Sequence, residues 1–117
     1  RPGQRIHRLR RLRIAEGEPL AIEVAHLPGP MPKLAEHLDE KGSLYATMRD
    51  CYGRVIAAVE DTVETALATP DEAELLAIGT GQPLLLLHRT ARDETGRVIE
   101  WTRSVYRGDR FRFVARA

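Results

Sequence analysis

Gly3–Leu27 (GQRIHRLRRLRIAEGEPLAIEVAHL) and Gly81–Tyr106 (GQPLLLLHRTARDETGRVIEWTRSVY) share one layout. Each opens Gly-Gln and runs along an Arg-containing strand. Each turns at an acidic, Gly-bearing tip, Ala15-Glu16-Gly17 in the first and Asp93-Glu94-Thr95-Gly96 in the second. The return strands alternate and carry a Glu, Glu23 or Glu100. Alternation around a glycine turn is the mark of a β-hairpin. Two such hairpins side by side build one continuous sheet, whose facing Arg and Glu residues can line a single cleft. That cleft is expected to be a small-molecule pocket.

The segments between the hairpins read as two helices, a strand and a further helix. Pro28-Gly29-Pro30 ends the first hairpin. Pro32 suits the first turn of a helix that places Leu34, Ala35 and Leu38 on one face, and Gly42 stops it. Ser43 then N-caps a second helix, which runs to Gly53. Residues 54–66 (RVIAAVEDTVETA) are rich in Val and Thr, with Val55, Ala57, Val59 and Val63 on alternate positions, and are expected to form a strand. Thr69-Pro70-Asp71-Glu72 has the form of a capping box, starting a short helix through Ile78. Arg107-Gly108-Asp109 is a tight connection to a last strand, Phe111–Val114. The order β-β-α-α-β-α-β-β-β indicates an α+β domain on a mainly antiparallel sheet.

The 117 residues make one domain, 43% hydrophobic and 30% charged. A net charge of +1 gives no reason to expect a polyanion partner across the whole surface. No apolar run approaches the roughly 20 residues of a membrane span. The start, Arg1-Pro2-Gly3-Gln4, has neither Met nor signal-peptide character and reads as the interior of a longer protein. Cys51 has no partner for an internal disulfide, so a reducing cytoplasm is the simplest compartment.

Three groups of side chains could carry chemistry. Arg11 and Arg13 stand two apart on a strand and so share a face. Such a pair suits bidentate capture of phosphate or carboxylate, or is a solvated basic strand. Ser43, with Tyr45 close behind, opens a helix whose free N–H groups and dipole favour an anion, although a Ser cap also serves a helix alone. Glu100, Thr102, Ser104 and Tyr106 share one face of a strand, and Glu23, with Ala21 and Ala25, belongs to the equivalent face of the first hairpin. A carboxylate among hydroxyls and small residues suits a polyhydroxylated or amine-bearing ligand, or an ordinary exposed sheet face. No His pair has metal-ligand spacing, Cys51 has no evident base, and the four His residues are scattered. Glu23 and Glu100 could form an acid/base pair, but nothing in the sequence fixes their separation, and no catalytic residue is assigned and no metal or cofactor expected.

The motifs Arg11-Leu12-Arg13, Gly17–Glu23 (GEPLAIE), Ser43-Leu44-Tyr45, Gly96–Glu100 (GRVIE) and Tyr106–Phe111 (YRGDRF), in this order, resemble the UTRA effector-binding domain. That domain is the C-terminal part of HutC-subfamily GntR transcription regulators, and the resemblance covers essentially the whole chain. Ser43-Leu44-Tyr45, Glu64–Pro70 (ETALATP) and Glu100–Arg110 (EWTRSVYRGDR) are most similar to the N-acetylglucosamine-responsive members. The resemblance implies a chorismate-lyase-like fold over residues 1–117, with ligand held between sheet and helix end. It implies a non-enzymatic sensor of a small anionic metabolite, glucosamine 6-phosphate or N-acetylglucosamine 6-phosphate, in a cytoplasmic homodimer. Ser43, Tyr45, Arg11 and Arg13 would form the anion end, and Glu23, Glu100 and Tyr106 would face the sugar. Operator DNA would be reached only through an N-terminal winged-helix domain, which this chain lacks together with the first strand–helix of the effector domain. The rival readings are a small lyase on the same fold, a sensor of urocanate, a fatty acid or another sugar, and a dimerisation module.

Overall fold

The computed structural model describes residues 5–110, 114 and 116. The first hairpin is β1 (Ile6–Ala15) and β2 (Glu18–Pro28), turning through Glu16 and Gly17, both at positive φ. Two helices follow, α1 (Leu34–Lys41) and α2 (Leu44–Tyr52), then β3 (Ala58–Leu67) and α3 (Pro70–Leu76). The second hairpin is β4 (Pro83–Arg92) and β5 (Val98–Arg107). At its tip Asp93 Oδ1 accepts from the Thr95 amide, the Thr95 hydroxyl and the Arg97 amide, so that side chain sets the turn.

All five strands join one sheet in the order β1-β2-β5-β4-β3, with every pair antiparallel. The two hairpins meet side by side through β2 and β5, as the repeated layout predicts. This is the expected α+β architecture.

Register decides what each face carries. Glu23 stands opposite both Arg11 and Ser104, and Ala21 opposite both Arg13 and Tyr106. Thr102 faces Arg89, which in turn faces Asp61. With a side-chain period of two, these residues point to one side of the sheet. On that side α1 and α2 cover only part of the surface. Their apolar side chains join Ala25, Leu27, Met31 and Ile99 in one core. The opposite side buries Ile22, Leu84 and Val105 beneath Ala73 and Leu76 of α3. Each fully buried Leu contributes about 1.5–3 kcal/mol relative to an exposed one. These two cores clamp the sheet from both sides and leave the polar half of the first face open.

Several boundaries differ from the sequence reading. Pro32 precedes α1 instead of sitting in its first turn, because Lys33 adopts a left-handed conformation and no side chain caps the helix there. The strand expected from residue 54 begins at Ala58. The segment before it is tied elsewhere: the Arg54 amide donates to Met48 O, its guanidinium to Pro28 O and Pro30 O, and Ile56 packs on the helix core. Helix α3 stops at Leu76, since Ala77 is left-handed and returns its amide to the last turn. Of the final strand expected at 111–114, residues 111–113 lie outside the described residues, and Val114 is not in a strand.

Candidate functional site

Gly42 and Ser43 join α1 to α2 across the polar half of the sheet. Gly42 takes φ 76° and returns its amide to Leu38 O, closing α1 in a conformation that favours glycine. The extended Ser43 can then start a new helix at once. Its Oγ accepts from the Ala46 amide at 3.3 Å, and its carbonyl accepts from the Thr47 amide and hydroxyl. The first N–H groups of a helix have no partner within it, so those of Leu44 and Tyr45 remain for water or a ligand.

A cavity of about 400 Å³ lies between this helix start and the sheet. Arg11 and Arg13 line it from β1, Glu23 from β2, Glu100 and Tyr106 from β5, and Ser43 and Tyr45 from α2. All the residues singled out in the sequence are therefore brought to one hollow. Its volume lies within the ordinary range for small-molecule pockets.

The charged groups in the cavity occur in matched sets. Glu23 faces Arg13 Nε at 3.0 Å and Arg11 at 3.7 Å, and the Tyr106 hydroxyl donates to its other oxygen at 3.5 Å. Glu100, only 3% exposed, accepts from the Tyr45 hydroxyl at 2.6 Å and from the Thr102 hydroxyl at 2.5 Å. Burial removes water from this carboxyl, and the two hydroxyls replace it. The Tyr45 phenol is pushed up to about 12, first by burial and then by its bond to Glu100, which disfavour the phenolate. Burial, followed by the charge of Glu23, also raises Tyr106. Both phenols are consequently protonated donors at neutral pH.

Arg89 and Asp61 belong to this cavity and were not singled out in the sequence. The Arg89 fork donates from Nε and Nη2 to the two Asp61 oxygens at 2.8 and 2.9 Å, and from Nη1 to the Tyr45 hydroxyl at 3.3 Å. The guanidinium holds the Asp61 carboxyl below its usual range, and that bond raises Arg89 in turn. Tyr45 thus links α2 to Glu100 on β5 and to Arg89 on β4. Three guanidiniums and three carboxyl groups line the hollow, an arrangement suited to a ligand bearing both an anion and a donor-rich body. Among the described residues, no three His, Cys, Asp or Glu side chains come together as metal ligands. No helix among them is long and apolar enough to cross a membrane.

The UTRA domain family matches residues 1–112. The chain is 38% identical over 112 residues to the HTH-type transcriptional repressor NagR of Bacillus subtilis, a match covering 93% of this chain and 45% of that protein. It is 37% identical over 114 residues to the repressor PhnF of Mycolicibacterium smegmatis, covering 97% of this chain and 46% of the relative. The crystal structure of PhnF superposes with a TM-score of 0.88 at 36% identity, over 96% of this chain and 50% of that one. The chain spans about half the length of these relatives. Its sheet order, its paired hairpins and these matches agree: the chain belongs to the UTRA domain family.

Proposed function

We propose that this chain is the effector-binding domain of a bacterial GntR-family transcription regulator, and that its cavity binds a small phosphorylated amino sugar. Glucosamine 6-phosphate and N-acetylglucosamine 6-phosphate are the preferred effectors. The observation that carries this reading is the convergence of the capped start of α2 with Arg11, Arg13 and Glu100 on one 400 Å³ hollow. A helix N-terminus with unpaired amides supplies partial positive charge, and guanidiniums add planar donors, so a phosphate is stabilised there. The carboxyl and hydroxyl groups of Glu23, Glu100, Thr102 and Tyr106 offer partners to the hydroxyls and the nitrogen of a sugar. Similarity to NagR supports the amino-sugar choice. The almost equal similarity to PhnF favours, as a second reading, another small anion in the same pocket.

The domain works as a sensor and returns its ligand unchanged. Ligand shifts the population between arrangements of α2 against the sheet, in proportion to its difference in affinity for them. Operator DNA is contacted by a separate DNA-binding domain in a cytoplasmic homodimer, and the shift alters its affinity through linkage. The test is calorimetry at neutral pH with glucosamine 6-phosphate. Saturable one-site binding is expected, weakened about tenfold or more by Arg13→Ala, which removes a charge-assisted contact. Unchanged affinity in Arg13→Ala would contradict the assignment of the anion end.

A further inference from the structure

Resting on that reading of the cavity, we propose that Arg89 is a specificity-determining residue for the anion of the ligand, and that Asp61 is its built-in competitor. The Asp61 carboxylate occupies the two-point position on Arg89 that the ligand anion would take.

Three observations lead there. The Arg89–Asp61 contact uses both oxygens and two nitrogens of the fork, at 2.8 and 2.9 Å. This two-point geometry is the one a guanidinium offers to phosphate. Arg11 and Arg13, by contrast, each address Glu23 through a single nitrogen, at 3.7 and 3.0 Å. Second, the third contact of Arg89, to the Tyr45 hydroxyl at 3.3 Å, already reaches the helix that begins beside the cavity. Arg89 and Ser43 also line the same cavity. Third, Asp61 is on β3, whose residues are nearly all exposed, and both side chains keep about a third or less of their surface in water, 34% for Arg89 and 26% for Asp61. The pair keeps enough contact with water for an incoming anion to reach it and compete for the same two nitrogens. The three guanidiniums of the cavity each face a carboxylate, so an incoming dianion must displace one. Asp61, on the edge strand, is the carboxylate most easily given up.

The inference predicts a gain on removing an acid. Calorimetry with glucosamine 6-phosphate, and separately with inorganic phosphate, would compare the chain with Asp61→Asn, Arg89→Gln and the double variant. Asp61→Thr serves as a second test, because Asn still presents an oxygen to Arg89 and Thr cannot reach it. Thermal melting checks that each variant is folded. Asp61→Asn and Asp61→Thr are expected to bind both ligands about fivefold tighter, the scale of a partly exposed ion pair. Arg89→Gln should bind them more weakly, and the gain from the Asp61 change should vanish in its background. Wild-type or weaker binding by both Asp61 variants would overturn the inference, showing that Asp61 holds Arg89 ready for ligand. So would a gain that persists with Arg89→Gln, which would reflect only net charge. Failure of the wild-type chain to bind either ligand would remove the cavity reading, and this inference with it. Wild-type binding weakened by Arg13→Ala, but not tightened by the Asp61 variants, would leave the cavity reading and sink this inference alone.

Discussion

Tyr45 sits where the helix start, the buried Glu100 and the Arg89–Asp61 pair meet. Its phenol donates to Glu100, and ionising it would put a negative charge against a carboxyl that has little water. Burial and that bond push the phenol up to about 12, above an unfolded value near 10. A raised acid favours the protonated fold, so the stabilisation is complete below about pH 10 and disappears as pH climbs through about 12. Tyr52 and Tyr106 are also raised, the former by burial first and then by Cys51, the latter by burial first and then by Glu23. An ultraviolet titration of tyrosinate should therefore show no tyrosine ionising at the ordinary midpoint, and Tyr45→Phe should remove the latest step. A Tyr45 midpoint near 10 would mean that the phenol is not engaged with Glu100.

The helix starts were readable because capping chemistry is local. Ser43 and Thr69 both cap as the sequence predicts, and Thr69 adds the reciprocal bond from its own amide to Glu72 Oε1 at 3.1 Å. The two caps differ in what lies beyond them. Ser43 opens on the cavity, whereas α3 packs on the other face of the sheet. Ser43→Ala and Thr69→Ala should each lower stability by about 1 kcal/mol, measured by denaturant unfolding. Only Ser43→Ala should also weaken glucosamine 6-phosphate; loss of binding in Thr69→Ala as well would point to general destabilisation.

The pairing of Arg89 with Asp61 was not legible, and strand register explains why. Each is an unremarkable residue within its own strand. They meet only because β3 pairs with β4 in the register that sets Asp61 opposite Arg89. Counting back from the Asp93–Gly96 tip would have assigned Arg89 the wrong face, since the register shifts between Ala91 and Arg92. A slip of one residue exchanges the two faces of a strand. The strongest available signal was the alternation Leu87, Arg89, Ala91 set against Glu100, Thr102, Ser104, read with that bulge included.

Across the whole molecule, two cores pack on opposite sides of one antiparallel sheet and frame a polar hollow. The helix core fixes α2 over β2 and β5, and the α3 core fixes the strands from behind. The polar residues need not stabilise the fold themselves. Tyr45, Thr102 and Glu100, and Arg89 and Asp61, bond to one another, whereas Arg11 Nε, Glu23 Oε1 and Ser104 Oγ are buried without a hydrogen-bond partner among the described residues. Arg11, Arg13, Glu23, Glu100 and Tyr106 were recognisable because strand alternation gathers them without knowledge of the helices. Bringing Ser43 and Tyr45 over them requires the tight Gly42-Ser43 junction, which is also written locally.

The proposed function requires an anion held where α2 begins, facing the guanidiniums of β1. The test is titration of the uniformly nitrogen-15-labelled chain with glucosamine 6-phosphate, following amide and arginine Nε–H resonances. Saturable shifts are expected at the Leu44 and Tyr45 amides and at Arg13 Nε–H, with Leu76 and Trp101 on the opposite side of the sheet unmoved. Shifts confined to that opposite side, or none at ligand concentrations in the millimolar range, would contradict it.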